Sequence, residues 1–330
     1  MSLLSVESCY ESLRYGLIPA VPVTCGAAGQ VDEDAQNRYI AHMTKQGVVA
    51  VAVWAHTGRG LHLGASARIQ VLRAWARGLG SGKLLIAGAG GSPQHAADAG
   101  RYIDSALRMA DDALENGAHA LLAYPPTAFR QSSRRDEQVF EYHRQLASRG
   151  APLILFYLYE AAGGISYSLD LLRELFALPQ VVGIKLATLD SVMTFQDVAT
   201  LIEKEFPTKL LITGEDRFFG YSLMCGAQAA LIGMGATCTQ LQCDFMHAYF
   251  QGRTAEFVAL SRSVDLLGQA LFRAPMEGYI RRALQTMVYE GVIPQDASYD
   301  PWGPPVPERE FAEIAKLLRE LPQATGKGAR

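Results

Sequence analysis

The chain has 330 residues, 49% of them hydrophobic, and a formal net charge of −3. That length fits one large domain or a domain with an appendage. The near-neutral charge argues against a nucleic-acid or anionic-membrane partner, and no apolar run approaches the ~20 residues of a membrane span.

The N-terminal segment MSLLSVESCYESLRYG lacks the basic and then apolar pattern of a signal peptide. Five cysteines without a C-x-x-C fit free thiols in a reducing cytoplasm. The seven histidines are scattered, with no H-x-x-x-H, so no metal site is expected.

Short apolar runs recur along the chain, each followed by a longer segment of helical character. They are LIPAVPVT (17–24), VVAVAVWA (48–55), KLLIAGAG (83–90), HALLAYPP (119–126), PLILFYLY (152–159), VVGIKLAT (181–188), KLLITGED (209–216) and AALIGMGA (229–236). Apolar runs without polar alternation suit parallel strands buried on both faces. Between them, DEDAQNRYIAHMTKQG and DEQVFEYHRQLASRG read as amphipathic helices ending at Gly. SLDLLRELFALPQ starts at a candidate N-cap, Ser168, and stops at Pro179. Eight β-α units predict an α/β fold, a closed (β/α)8 TIM barrel. A doubly wound open sheet is the alternative, and no G-x-G-x-x-G follows the first run to support it. After residue 236 the remaining segments read as helices, interrupted by DPWGPPVPE. The expected division is a barrel over 1–250 and a C-terminal helical domain over 251–330, with a frayed tail.

In such a barrel the active site lies at the C-terminal ends of the strands. The sixth strand carries Lys185 there, among Val and Ile. Burying an ammonium is costly unless it is paired or deprotonated. Alternation would put Lys185 on one face with Val181 and Gly183, the glycine leaving space beside its stem. Two readings stand. Lys185 is a nucleophilic amine of lowered pKa, or it snorkels outward or pairs with Asp190 or Glu215. Tyr157 and Tyr159 share a face of the fifth strand, Tyr157 as a proton relay or as a core aromatic. Thr57 and Gly58 offer a hydroxyl and amides to a carboxylate, or form an ordinary turn. His56 is a base, a substrate hydrogen bonder or a structural histidine. The glycines of GAGG (88–91) and GMGA (233–236) suggest an anion cradle, which Glu215 and Asp216 on the adjacent strand disfavour at 233–236.

VVGIKLATLDS resembles the G-I-K-x-[AS]-[TS]-x-D segment that carries the Schiff-base lysine in the dihydrodipicolinate synthase/N-acetylneuraminate lyase family of class I aldolases. The resemblance extends from LIPAVPVT through IAGAGG, GAHALLAYPP and TGEDRFFGYSLMCGAQAALIGMGA to DPWGPPVP. It implies a barrel with a C-terminal helical domain, commonly a tetramer, and an imine between Lys185 and the ketone of pyruvate or another 2-oxo acid, with no external cofactor. The family's catalytic tyrosine stands on strand 5. Counting back from Lys185 without a gap places it at Tyr157, and a gap of one would place it at Phe156.

The family's G-T-T-G-E becomes AHTGRG, in which Thr57 and Gly58 match while Ala55, His56 and Arg59 depart. The second tyrosine, of T-P-Y-Y, falls near Thr127 and Ala128. The arginine with which dihydrodipicolinate synthases bind their second substrate falls on Ala162, so that activity is not expected. The resulting expectation is a cytoplasmic lyase acting on a small-molecule 2-oxo acid, as a homo-oligomer (tetramer or dimer). Lys185 and Tyr157 are catalytic, and Thr57, Gly58, His56, Arg59, Glu160, Glu215 and Gly233 bind substrate. The alternatives are a carboxylate-binding barrel without turnover, favoured by the missing strand-4 motif, and a pyridoxal phosphate enzyme using Lys185.

Overall fold

A computed structural model describes residues 3–189 and 191–321. Asp190, considered above as a partner for Lys185, and the tail 322–330 lie outside the described residues. All eight apolar runs form strands: β1 (Leu17–Pro19), β2 (Ala50–Val53), β3 (Leu84–Ala89), β4 (Ala120–Ala123), β5 (Leu153–Leu158), β6 (Val181–Ala187), β7 (Leu210–Thr213) and β8 (Ala229–Ile232). Every ladder is parallel, in the order β1-β8-β7-β6-β5-β4-β3-β2. A bridge between Ala20 and Ala52 joins the two ends, so the sheet closes as a TIM barrel.

Helices alternate with the strands: α1 (Val6–Leu13), α2 (Glu33–Thr44), α3 (Ala65–Gly78), α4 (Ala99–Glu115), α5 (Arg135–Ala147), α6 (Leu169–Phe176), α7 (Val192–Glu205) and α8 (Phe219–Met224). Beyond β8 come α9 (Thr239–Phe250), α10 (Thr254–Leu271), α11 (Tyr279–Tyr289) and α12 (Glu308–Glu320). Helix starts follow local chemistry. Ser168 caps α6, its hydroxyl accepting from the Leu171 amide at 3.1 Å, and Asp32 caps α2 through the Ala35 amide. After α5 the chain turns at Gly150, whose φ of +78° suits glycine.

Two apolar clusters divide the strand residues by face. Outward side chains such as Leu155, Ile184 and Leu186 pack under the helices. Inward ones fill the barrel, small (Ala20, Ala50, Ala52, Ala120) and large (Ile154, Phe156, Leu210, Ile212) together. Each large side chain removed from water contributes roughly 1.5–3 kcal/mol. Cys9 and Leu13 of α1, an element that the strand count does not anticipate, belong to the inner cluster. Among the described residues no helix is long and apolar enough to cross a membrane.

The pairing of β5 with β6 decides which way the site residues point. Leu153 pairs with Val181 but Ile154 pairs with Gly183, so β6 holds one extra residue there. Val182 consequently joins the inner cluster, while Val181 faces outward and does not share the face of Lys185 as alternation predicts. The expected space beside Gly183 is also absent. A Cβ there would lie 2.2 Å from the Leu210 carbonyl oxygen. Gly214 supplies the room instead, since its Cβ position would be 3.0 Å from Lys185 Cε.

Candidate active site

Lys185 alternates with the outward-facing Ile184 and Leu186 and pairs in register with Phe156 and Ile212. It therefore points into the barrel mouth, where it is only 6% exposed. Its Nζ lies 4.3 Å from the centre of the Phe156 ring. Among the described residues no carboxylate oxygen lies within 4 Å of it, which removes the direct pairing with Glu215. Burial, the largest cause, lowers the amine to about 8, although Asp216 and Glu215 pull it upward. An amine so placed carries a far larger neutral fraction near pH 7 than an ordinary lysine, and the neutral form is the one that attacks a ketone.

Tyr157 is not brought to the lysine. It pairs with Leu186 and belongs to the outer cluster, edge-on to Tyr167 at 5.6 Å. Neighbouring residues of a strand point to opposite faces, so if Phe156 faces Lys185, Tyr157 cannot. The position opposite the amine thus holds a ring without a hydroxyl.

The β7 end provides two buried carboxylates. Glu215 accepts from the Thr188 amide, from Thr188 Oγ1 at 3.0 Å and from the Leu189 amide at 3.1 Å. Those bonds fasten the turn after β6, and the carboxylate, fully buried, is not available to the distal part of a substrate as expected. Asp216 Oδ1 accepts from the Met234 amide at 2.7 Å, and the carboxylate also accepts from the Gly233 amide. The glycine turn after β8 therefore cradles an anion, but that anion is the protein's own carboxylate. Burial raises Glu215 to about 8 and Asp216 to about 7, against the pull of the donated amides and, for Asp216, of Lys185. Gly233 gives its space to other side chains. A Cβ there would fall 2.8 Å from Tyr279 Cε2 and 3.1 Å from Thr57 Oγ1.

The other side of the mouth is assembled from the turn after β2 and from the C-terminal segment. Trp54 and Arg59 hold left-handed conformations, with φ of +55° and +51°. Such strain persists only where surrounding contacts over-determine the backbone. Here the Trp54 carbonyl accepts from the Tyr124 hydroxyl at 2.7 Å. Arg59 forks onto Asp300 at 3.1 and 2.6 Å and reaches Glu277 at 2.9 Å. The buried guanidinium is thus consumed by the C-terminal segment and is not free to recognise substrate, contrary to expectation. Gly58 must be glycine, because a Cβ would lie 2.9 Å from the Val21 carbonyl oxygen.

Thr57 and Gly58 are buried, and among the described residues no protein group accepts from either amide. The Thr57 hydroxyl is engaged with Tyr279 Oη at 2.9 Å. His56 Nδ1 lies 3.1 Å from the same oxygen, and His56 Nε2 lies 3.2 Å from Glu277 Oε1. Glu277 would be raised by burial, but His56 and Arg59 hold it down at about 2. Glu160 is exposed on the short turn Glu160–Ala162 after β5.

Sequence reasoning gave no role to Tyr279, Glu277 or Asp300, which reach the mouth from more than 200 residues away, and no local signal marks them. It noted Asp216 at the strand end, and the same strand-end rule could have admitted it as a site residue.

The chain matches the dihydrodipicolinate synthetase family over residues 14–320. It is 22% identical to N-acetylneuraminate lyase 2 of Escherichia coli O6:H1, over 93% of this chain and 94% of that protein. It is also 22% identical to L-threo-3-deoxy-hexylosonate aldolase of Aspergillus niger, over 87% of this chain and 90% of that one. Among solved structures it resembles a prophage protein of the dihydrodipicolinic acid synthase family from E. coli K12, in complex with pyruvate. There the TM-score is 0.79 at 21% identity, over 92% of this chain and 97% of that one.

Proposed function

The chain belongs to the dihydrodipicolinate synthetase family, and from that premise we propose that it is a class I aldolase or lyase forming an imine between Lys185 and a 2-oxo acid. The observation that carries this reading is the inward lysine at the mouth, held beside a ring and without a carboxylate within 4 Å among the described residues. The neutral amine attacks the ketone carbon. The unpartnered amides of Thr57 and Gly58 bind the acid's carboxylate. Asp216, whose acidity is close to that of the amine, takes the proton released on attack. It passes that proton to the oxyanion, giving the carbinolamine, and a second proton drawn from solvent lets the hydroxyl leave as water and leaves the iminium. The iminium then acts as electron sink for C–C cleavage, condensation or dehydration. The same reading takes the enzyme to be cytoplasmic and a dimer or tetramer. The reading does not extend to dihydrodipicolinate synthase activity, because the resemblance puts Ala162 where those enzymes carry an arginine.

Incubation with pyruvate and a panel of 2-oxo acids under sodium borohydride, followed by peptide mass spectrometry, tests this. A reduced adduct on Lys185, absent from Lys185→Ala, is expected. The lack of any adduct across the panel would sink the reading. One observation favours the alternative of a carboxylate-binding barrel without turnover, namely Phe156 in the position facing the amine. That alternative predicts tight carboxylate binding with no exchange of substrate protons.

A further inference from the structure

We propose that Tyr279 is the group that exchanges protons with C3 of the bound 2-oxo acid, and that His56 and Glu277 orient it as positioning residues. This rests on the imine reading above. An imine becomes an enamine only if a base removes a proton from C3, and the ring facing Lys185, Phe156, has no hydroxyl to do so. The C-terminal segment supplies one.

Glu277, Nε2 and Nδ1 of His56, Tyr279 Oη and Thr57 Oγ1 form a single chain of contacts at 3.2, 3.1 and 2.9 Å. Its direction follows from valence. An ionised Glu277 only accepts, so when the imidazole of His56 carries a single proton, that proton sits on Nε2. Nδ1 then accepts from the Tyr279 hydroxyl, and the Tyr279 oxygen accepts from Thr57. One lone pair of that oxygen remains. The ring is locked between Phe272, stacked at 4.4 Å, and the glycine at 233. Tyr279 also touches the residue whose amide holds the carboxylate, and C3 of a 2-oxo acid is only two bonds from the carboxylate carbon.

In the step itself, the C3–H bond breaks and its proton goes to Tyr279 Oη. The hydroxyl's own proton passes to His56 Nδ1, giving an imidazolium beside the Glu277 carboxylate. The C–H electron pair forms the C2=C3 bond while the iminium π pair returns to nitrogen. Reversal reprotonates C3, so the step is balanced without another reactant.

The test uses pyruvate in D2O, with loss of the methyl signal followed by NMR and borohydride trapping run in parallel. Wild type should trap and exchange. Tyr279→Phe should still trap while exchange falls about 10²–10⁴-fold. His56→Gln, which leaves the Tyr279 ring in place, should lower exchange at least about tenfold with an unchanged KM for pyruvate. Exchange unaltered in Tyr279→Phe, or trapping without exchange in wild type, would overturn the relay alone. A collapse confined to Asp216→Asn would also overturn it, assigning the step to Asp216. If Tyr279→Phe loses trapping together with its circular dichroism, His56→Gln decides, and unchanged exchange there would reject the relay. Failure of wild type to trap would remove the imine reading and the relay with it.

Discussion

On the β5–β7 side of the mouth, Lys185 faces a phenyl ring and two buried carboxylates held near neutrality. On the β2 side, Arg59, His56, Thr57, Tyr279, Glu277 and Asp300 satisfy one another through short polar contacts. The first side buries its amine with no carboxylate oxygen within 4 Å among the described residues, and that burial lowers the amine toward reactivity although Asp216 and Glu215 pull it upward. The second pairs its charges so completely that Arg59 is spent on holding two distant segments together. Position at the mouth alone therefore does not make a polar residue a substrate ligand. What decides is whether the surrounding protein has already satisfied it.

The largest effect should come from removing the Lys185 amine on the first side. Lys185→Met is expected to abolish trapping and to lower turnover by at least about 10⁴-fold, with the fold retained by circular dichroism. Residual trapping at another lysine would break the contrast between the two sides.

On the paired side, Asp300→Ala leaves Arg59 buried with Glu277 as its remaining partner. A loss of about 3–5 kcal/mol is expected in urea unfolding, the range found when a buried pair loses one member. A change below about 1 kcal/mol would show that the clamp is not what fixes the turn after β2.

The face assignment can be sharpened with two neighbours on β5. Phe156→Tyr puts a phenol beside the amine and should speed imine trapping about tenfold, whereas Tyr157→Phe, under the helices, should change it less than about twofold. A reversed pattern in stopped trapping assays would contradict the register of β5.

The smallest effect concerns pH. Glu215 and Asp216 are raised to about 8 and about 7, so between pH 6.5 and 8 the folded chain binds more protons than the unfolded one. Stability should fall as pH rises through that window, and Glu290, raised by burial to about 7, adds to the fall. Lys185 acts later. With its folded value lowered to about 8, it makes stability rise between pH 8 and its ordinary value near 10.5. Thermal melts should show Tm lower by a few degrees at pH 8 than at pH 6.5, with a shallower decline in Glu215→Gln. An equal slope in that variant would place the titration elsewhere.

Much of the architecture was legible in the sequence because strand and helix periodicities are local. The eight apolar runs, the Ser168 cap and the placement of Lys185 near the end of the sixth strand needed no distant information. The orientation of Tyr157 was not legible. It depends on one extra residue where β6 pairs with β5, and a shift of one residue exchanges the two faces of a strand. The protein partners of Arg59 and Glu215 and the close neighbours of Gly233 were not legible for a different reason. Residue type shows what a side chain can bind, and only its neighbours show what it already binds.

The sequence by itself determined the barrel, and it set an amine among apolar residues at the mouth, because burial pattern and strand order follow from short-range hydrophobic spacing. Only the tertiary structure decided that Phe156 faces that amine and that Tyr279, 222 residues from Thr57, reaches its hydroxyl. Contacts across that separation form when closure of the barrel brings the C-terminal segment over the turn after β2, and no local pattern encodes them.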